Sequence, residues 1–342
     1  MPSVLLGGLC ASDPAGSRAV RDAVSEALPN HHVRDMAAYP DAAARLAAAR
    51  RTEAVVMTGA AFGPTGFATA VLAGLARRPL LFVGALAGLA AGRLGAAAAR
   101  GMAGRARLLL LADDASAARL AAAGVPTPLR VAADPAWVAV DLHPRRHPRG
   151  ESVAVALDGR VPTPVEQALR AALVTVARTG RRVRLVPWDG PGGADLALAG
   201  RLERAVENAV PGATMIEAAP ETLAEAACLF AEAHAVVALR HRAVHAAAAA
   251  GVPVVAVPTD PGCGALATRL GQAVLGPLEL TSALPVALER IGAAAAPSAV
   301  AVRDEKTRAR SGLRLMRLVI EPEAVAASEV DDLPLVPVPW LS

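Results

Sequence analysis

The chain has 342 residues, of which 54% are hydrophobic and only 2% aromatic, and its formal net charge is +4. This length predicts about two domains, whose cores must be built from Ala, Val and Leu. The scarcity of aromatic stacking residues argues against a nucleic-acid partner, and three cysteines without a Cys-x-x-Cys pair are typical of reduced thiols. The basic charge is compatible with an anionic substrate.

Targeting and membrane signals are weak in this sequence. No positively charged segment precedes an apolar core near the start, so the pattern is not that of a signal peptide. The longest apolar run, residues 79–92, is too short to cross a bilayer. We therefore expect a cytoplasmic protein without a transmembrane segment.

Short apolar runs alternate with helical segments through the first half of the chain. The predicted strands are Val4–Leu6, Val33–Met36, Ala54–Met57, Leu80–Val83, Leu108–Leu111 and Leu129–Val131, and the helices include Gly16–Leu28, Asp41–Arg51, Arg93–Arg105 and Ala115–Ala123. Asp41 and Asp114 are the predicted N-caps, and Gly124 is predicted to follow a helix end. This alternation is typical of βα units around a mostly parallel sheet.

The same alternation starts again after a polar, proline-containing and basic stretch, residues 142–152, which we interpret as a linker. Its histidines, His143 and His147, have no acidic or thiol neighbours that would suggest a metal site. The predicted strands are Val153–Leu157, Val183–Val186, Thr214–Ile216, Ala235–Leu239 and Val252–Val257, and the helices are Pro164–Arg178, Asp195–Ala209, Glu221–Ala233, Arg242–Ala250 and Leu280–Ile291.

These patterns together predict an α/β protein of two Rossmann-like domains with a cleft between them, a GT-B-like architecture. We place the N-terminal domain at residues 1–148 and the C-terminal domain at residues 149–295. Residues 296–342 are predicted to form a helix followed by a proline-rich tail, because proline at every second or third position excludes a regular helix.

Several common catalytic signatures are missing from the sequence. It contains no Walker A lysine motif, no HExxH, no G-x-S-x-G, and no G-x-G-x-x-G after a strand in the expected place. These absences disfavour P-loop, zinc-hydrolase, α/β-hydrolase and simple dehydrogenase functions.

The most informative segment is a basic cluster that follows the strand at 235–239. Arg240, His241, Arg242 and His245 follow the carboxyl end of this strand, where the next helix begins. Ligands of parallel α/β sheets bind at the carboxyl ends of strands, and guanidinium groups bind carboxylates and phosphates. The cluster therefore predicts an anion site. The alternative is that these residues are only a solvated basic helix start.

Three further loops are predicted to contribute to ligand binding. The first contains Gly8, Gly16 and Ser17, the second contains Gly59, and the third contains Asp260. Glycines let the backbone approach a ligand, and a helix that begins after such a loop favours an anion. Each could equally be a plain strand-to-helix connection.

The order of these features resembles the polysaccharide pyruvyl transferase family over residues 3–292. The motifs that carry the resemblance are Gly16-Ser17-Arg18-Ala19, Gly59-Ala60-Ala61, Ala112-Asp113-Asp114-Ala115-Ser116, Gly124-Val125, Asp134-Pro135-Ala136, Arg240-His241-Arg242, Gly251-Val252-Pro253 and Thr259-Asp260-Pro261. The departures are that Ser17 and Arg18 replace two acids, Ala112 replaces an arginine, and Arg242 stands at the family's histidine position.

The resemblance implies transfer of a pyruvyl group from phosphoenolpyruvate, as donor substrate, to a cell-wall or surface saccharide as a ketal, with no other cofactor and no metal. Arg240 and Arg242 would hold the donor, and His241 or His245 would handle protons.

Two other functions stay open. The replaced motif residues suggest a non-catalytic family member that acts as a binding or partner subunit, in a homo- or hetero-oligomer. A nucleotide-sugar glycosyltransferase of the GT-B class would also use a basic site in its C-terminal domain. Thermal stabilisation by a nucleoside diphosphate rather than by phosphoenolpyruvate distinguishes this last possibility.

Overall fold

The structure is a computed structural model that describes residues 1–9, 13–59, 61–62, 64–88, 93–125, 129–140, 151–190, 192–259, 261–276, 279–291, 296–323 and 336–337. The chain forms two compact units. The first comprises Met1–Cys10, Ser17–Ala139 and Asp304–Ser342, and the second comprises Ala11–Gly16 and Val140–Arg303.

Strands and helices alternate along the first 140 residues. The strands are β1 (Ser3–Gly7), β2 (His32–Asp35), β3 (Ala54–Gly59), β4 (Leu80–Ala85), β5 (Ala106–Leu111) and β6 (Arg130–Val131). The helices are α1 (Pro14–Ala27), α2 (Ala42–Arg50), α3 (Pro64–Leu75), α4 (Arg93–Ala103) and α5 (Asp114–Ala122). Two short 3-10 helices lie at Met36–Ala38 and Pro135–Trp137.

The alternation continues from residue 152 onward. The strands are β7 (Ser152–Ala156), β8 (Arg182–Val186), β9 (Thr214–Ile216), β10 (Ala235–Ala238), β11 (Val254–Ala256) and β12 (Ala273–Val274). The helices are α6 (Thr163–Arg178), α7 (Ala194–Glu207), α8 (Leu223–Ala231), α9 (His241–Ala249), α10 (Pro261–Arg269) and α11 (Leu280–Arg290). Helix α12 (Ala299–Ile320) and strand β13 (Val336–Pro337) follow in the chain.

Each unit contains one sheet. The first sheet has the order β13-β6-β5-β4-β3-β1-β2, with β13 antiparallel to β6 and the other pairs parallel. The second has the order β12-β11-β10-β7-β8-β9 and is parallel throughout. Strand order therefore reverses between β1 and β3 in the first sheet and between β7 and β10 in the second. These are the positions where open α/β sheets bind ligands.

Both cores are aliphatic, with few aromatic contacts. In the first unit the rings of Phe62 and Phe82 stack at 4.8 Å, and in the second those of Trp188 and Phe230 lie 6.1 Å apart. The β1, β3, β4 and β10 residues are buried on both faces, as expected for parallel strands covered by helices. The prediction of two parallel-sheet, Rossmann-like units is confirmed.

The structure agrees with most of the predicted helix-capping residues and differs at one of them. Asp41 caps α2 as predicted, but Asp113 rather than Asp114 caps α5, because its carboxylate accepts from the amide of Ser116 at 2.5 Å. Gly124 follows α5 with a φ of 74°. Helices α3 and α10 were not predicted.

The predicted linker falls mainly on residues 141–150, which lie outside the described residues. Among the helices that the structure describes, none combines the length and the apolar character that crossing a bilayer requires.

Candidate anion-binding site at the second sheet

Three loops meet at the carboxyl edge of the second sheet. Asp158 follows β7, Arg240 follows β10 and Thr259 follows β11. The hydroxyl of Thr259 donates to the carbonyl oxygen of Leu239 at 2.6 Å and lies 3.3 Å from the Asp158 carboxylate. The basic cluster therefore lies at the switch point of this sheet, between β7 and β10.

The guanidinium of Arg240 is held inside this edge. Its Nε donates to the carbonyl oxygen of Leu157 at 2.5 Å, and one terminal nitrogen lies 2.7 and 2.6 Å from the two carboxylate oxygens of Asp195. The same nitrogen is 3.7 Å from Asp158. Arg240 is only 5% exposed, and Asp195 is fully buried. The predicted donor-binding role of Arg240 stays untested, while these contacts give the side chain a structural role.

Asp195 also organises the neighbouring backbone. Its carboxylate accepts from the amides of Gly159 at 2.6 Å, Trp188 at 2.8 Å and Asp189 at 3.1 Å. One buried carboxylate thus joins the loops after β7, β8 and β10 at the start of α7. This network fixes the switch point before any ligand arrives.

Asp158 is ionised in this environment. Burial raises the pKa of its carboxyl, but hydrogen bonds from Arg160 and the charge of Arg240 outweigh the burial and hold that pKa below its ordinary value. Arg160 donates from Nε and a terminal nitrogen at 2.9 Å each. The edge therefore has fixed charges of both signs at neutral pH.

Helix α9 begins with basic residues at its positive end. Arg240 is its N-cap and makes no side-chain capping hydrogen bond, because a guanidinium has no acceptor. His241 and Arg242 are the first two helical residues. Cations at a helix N-terminus are unfavourable unless an anion balances them. All nine residues of α9 are buried, which explains its run of alanines.

Arg242 is balanced by an acid from far earlier in the chain. Its guanidinium donates to Asp13 at 2.7 Å, and the other Asp13 oxygen accepts from the Trp188 indole at 2.6 Å and from the Gly16 amide at 2.9 Å. A Cβ at Gly16 would lie 2.0 Å from Cδ of Arg242. The lack of a side chain at Gly16 makes room for this arginine, and the predicted approach of Gly16 to a ligand stays a prediction.

The two histidines of α9 have different environments. His241 is 9% exposed, whereas His245 is fully buried, with ring centroids 4.5 Å apart in an edge-on arrangement. Burial, and then the charges of His241 and Arg242, hold the pKa of His245 well below its ordinary value. Its Nδ1 lies 3.2 Å from the carbonyl oxygen of His241 and so carries the proton of a neutral ring. Of the two histidines, His241 is the less buried.

Replacing His245 should make stability less sensitive to acid. The unfolded chain takes up a proton at this imidazole below a pKa of about 6.5, but the folded chain does not, so acid favours unfolding. We expect wild type to lose up to about 1.4 kcal/mol per pH unit below that value relative to His245→Asn.

Urea unfolding between pH 7 and pH 5 measures this difference. The exposed His32 provides a matched control, since His32→Asn should keep the wild-type dependence of the unfolding free energy on pH. Equal slopes for wild type and His245→Asn would contradict the assignment of a neutral buried ring.

The remaining predicted residues lie elsewhere. Gly8 follows β1 and has a φ of 83°, and Gly59 ends β3 with a φ of 57°. Both belong to the switch point of the first sheet. Ser17 is buried in α1, and Asp260 lies outside the described residues. The residues that sequence reasoning missed are Asp13, Asp158, Trp188 and Asp195.

Comparison with solved structures identifies the fold. A Staphylococcus aureus MnaA co-structure with UDP is 10% identical, with 94% of this chain and 97% of that chain covered and a TM-score of 0.64. The UDP-GlcNAc 2-epimerase of Neisseria meningitidis bound to UDP-GlcNAc is 10% identical, with 92% of this chain and 99% of that chain covered and a TM-score of 0.62. The UDP-GlcNAc 2-epimerase of Methanocaldococcus jannaschii in complex with UDP-GlcNAc and UDP is 11% identical, with 93% of this chain and 98% of that chain covered and a TM-score of 0.62.

No family model matches the chain, and no curated sequence is similar to it. At these identities the structural likeness shows the fold, which is GT-B-like as predicted. It corrects the expected function. The structural neighbours are UDP-GlcNAc 2-epimerases rather than pyruvyl transferases, so the expectation of pyruvyl transfer from phosphoenolpyruvate is wrong.

Proposed function

We propose that this chain binds and processes a UDP-sugar, with the donor's diphosphate at the start of α9. The observation that carries the proposal is the fold match over more than nine-tenths of the chain to proteins whose structures contain UDP or UDP-GlcNAc. Fold alone does not define a reaction. The residues at the second sheet supply the second line of support.

Arg242 is the side chain best placed to bind the diphosphate. It stands in the first turn of α9, where free amides and the helix dipole favour an anion. Its present partner is the Asp13 carboxylate, which a phosphate could replace with the same charge-assisted geometry. Arg240 is less suited to this role, because its Nε and one terminal nitrogen already donate to Leu157 and Asp195.

His241 is the proposed proton-handling group. It precedes Arg242 and retains slight exposure, and an imidazole can exchange a proton near neutral pH. The neutral ring of His245 lies edge-on against it, with the ring centroids 4.5 Å apart. The same residues would serve epimerisation of the sugar or its transfer to an acceptor, since both begin with a bound nucleotide sugar.

Ligand binding tests the proposal directly. UDP and UDP-GlcNAc should raise the melting temperature of the full chain, and phosphoenolpyruvate should not, because only a ligand of the native state stabilises it. Arg242→Ala should weaken UDP binding by about 10- to 100-fold, the loss expected for a charge-assisted hydrogen bond.

Arg201→Ala is the matched control, since it removes an arginine of the same unit whose carboxylate partner is Glu166. It should leave the UDP affinity unchanged. Stabilisation by phosphoenolpyruvate but not by UDP would overturn the proposal. NMR of UDP-GlcNAc incubated with the protein then separates epimerisation, UDP release to an acceptor, and the binding-only alternative.

A further inference from the structure

A small groove lies between α1 and α12 in the first unit. Its volume is about 250 Å³, and its lining residues are Ala23, Glu26, Ala27, Val138, Arg310, Leu313, Arg314 and Arg317. The groove is independent of the second sheet and of the function proposed above. Three arginines around so small a volume form an unusual concentration of positive charge.

The arginines share one face of α12. Arg310, Arg314 and Arg317 are spaced by four and three residues, which places them side by side on a helix. Arg317 is paired with Glu321 at 3.0 Å. Within the part of the chain that the structure describes, no carboxylate forms an ion pair with Arg310 or Arg314. Adjacent like charges of this kind destabilise a helix unless an anion neutralises them.

The floor of the groove is apolar and partly shielded from water. Ala23 is 1% exposed and Leu313 is 5% exposed, while Arg310 and Arg314 are exposed at the rim. The small side chains of Ala23 and Ala27 create the space. An anion held over an apolar floor interacts more strongly with guanidinium groups than it would in open solvent.

We propose that this groove binds a phosphate-bearing ligand, held by Arg310 and Arg314. Guanidinium groups on adjacent helical turns suit the several oxygens of a phosphoryl group, to which arginine donates two parallel hydrogen bonds. Glu26 on the α1 wall can accept a hydrogen bond from a hydroxyl of the ligand. The phosphate could belong to a free metabolite or to a lipid headgroup.

Calorimetric titration of inorganic pyrophosphate into the full chain tests the site. Arg310→Gln with Arg314→Gln should weaken binding at least about tenfold. Ala27→Phe, which fills the groove without changing charge, should weaken it as well. The matched control, Arg50→Gln with Arg51→Gln, removes the same charge from exposed positions of the same unit and should bind like wild type.

Two further arms decide the location and the source. Loss of binding only in Arg242→Ala would place pyrophosphate at the second sheet and overturn the proposal, as would no binding to wild type together with no vesicle binding. Vesicles of phosphatidylglycerol and phosphatidylcholine that sediment wild type but not the Arg310/Arg314 double variant identify a lipid headgroup. Pyrophosphate binding without sedimentation identifies a free phosphate.

Discussion

Replacing Asp195 by alanine should cost about 3–5 kcal/mol of unfolding free energy, the range measured when one partner of a buried ion pair is removed. The carboxylate is fully buried and accepts from the Arg240 guanidinium and three backbone amides. Without it, a buried cation and three amides lose their acceptor together. Urea unfolding measures the loss, and hydrogen exchange of β7 and β10 assigns it to the second unit.

Arg240→Ala should lower the unfolding free energy by less than Asp195→Ala does. It leaves Asp195 with the amides of Gly159, Trp188 and Asp189 as donors. The double variant should be more stable than the sum of the two single losses predicts, because each single change leaves a charge that the other change removes. Coupling of about 0.5–3 kcal/mol is the usual range for groups in contact.

The Arg201–Glu166 pair provides the control, since its two nitrogen–oxygen distances are 2.8 and 2.9 Å but the Arg201 side chain is 39% exposed. Arg201→Ala should stay within about 1 kcal/mol of wild type, as exposed pairs do. If Asp195→Ala costs no more than Arg201→Ala, the network does not hold the switch point together.

The sequence predicts the alternating elements well because their signals are local. Buried parallel strands appear as short runs of β-branched and aliphatic residues, and the strand before Arg240 is a clear case. Helix α3 has no such signal, since its residues are almost entirely apolar or small and show no polar face. Periodicity cannot identify a helix of that composition.

The sequence predicts the basic residues of the candidate site but not their acidic partners, because those partners are distant in sequence. The basic residues of α9 are adjacent in sequence, but their partners are not: Asp195 is 45 residues from Arg240, and Asp13 is 229 residues from Arg242. A lone aspartate near a helix start is predicted as a cap, and Asp13 does accept from the Gly16 amide. Its bond to Arg242 depends on tertiary structure alone.

This pairing changes the meaning of the basic cluster. Two arginines beside each other suggested a clamp for one anion, yet each has its own carboxylate in the folded chain. Arg240 lies in a network of buried groups, whereas Arg242 pairs with the Asp13 carboxylate at the start of α9. A ligand phosphate therefore competes with the Asp13 carboxylate at Arg242, whereas at Arg240 it would have to replace several buried hydrogen bonds.

Replacing Gly8 by alanine should strongly destabilise the first unit. Gly8 has a φ of 83°, and a Cβ there would lie 2.0 Å from the carbonyl oxygen of Thr58. A left-handed conformation costs an alanine about 1–2 kcal/mol, and a forced contact in a packed region about 1–3 kcal/mol more. We expect a total loss of about 2–5 kcal/mol in urea unfolding.

Gly124 separates these two contributions within the same unit. Its φ is 74°, but a Cβ there would meet only Arg100 side-chain atoms at 3.7 Å, an ordinary contact. Gly124→Ala should therefore show the conformational cost alone, about 1–2 kcal/mol. The excess loss for Gly8→Ala then measures how closely the residue after β1 approaches the end of β3, and faster hydrogen exchange in those strands should accompany it. Equal losses would mean that the Thr58 carbonyl moves aside freely, and that the switch point of the first sheet does not need a glycine for its packing.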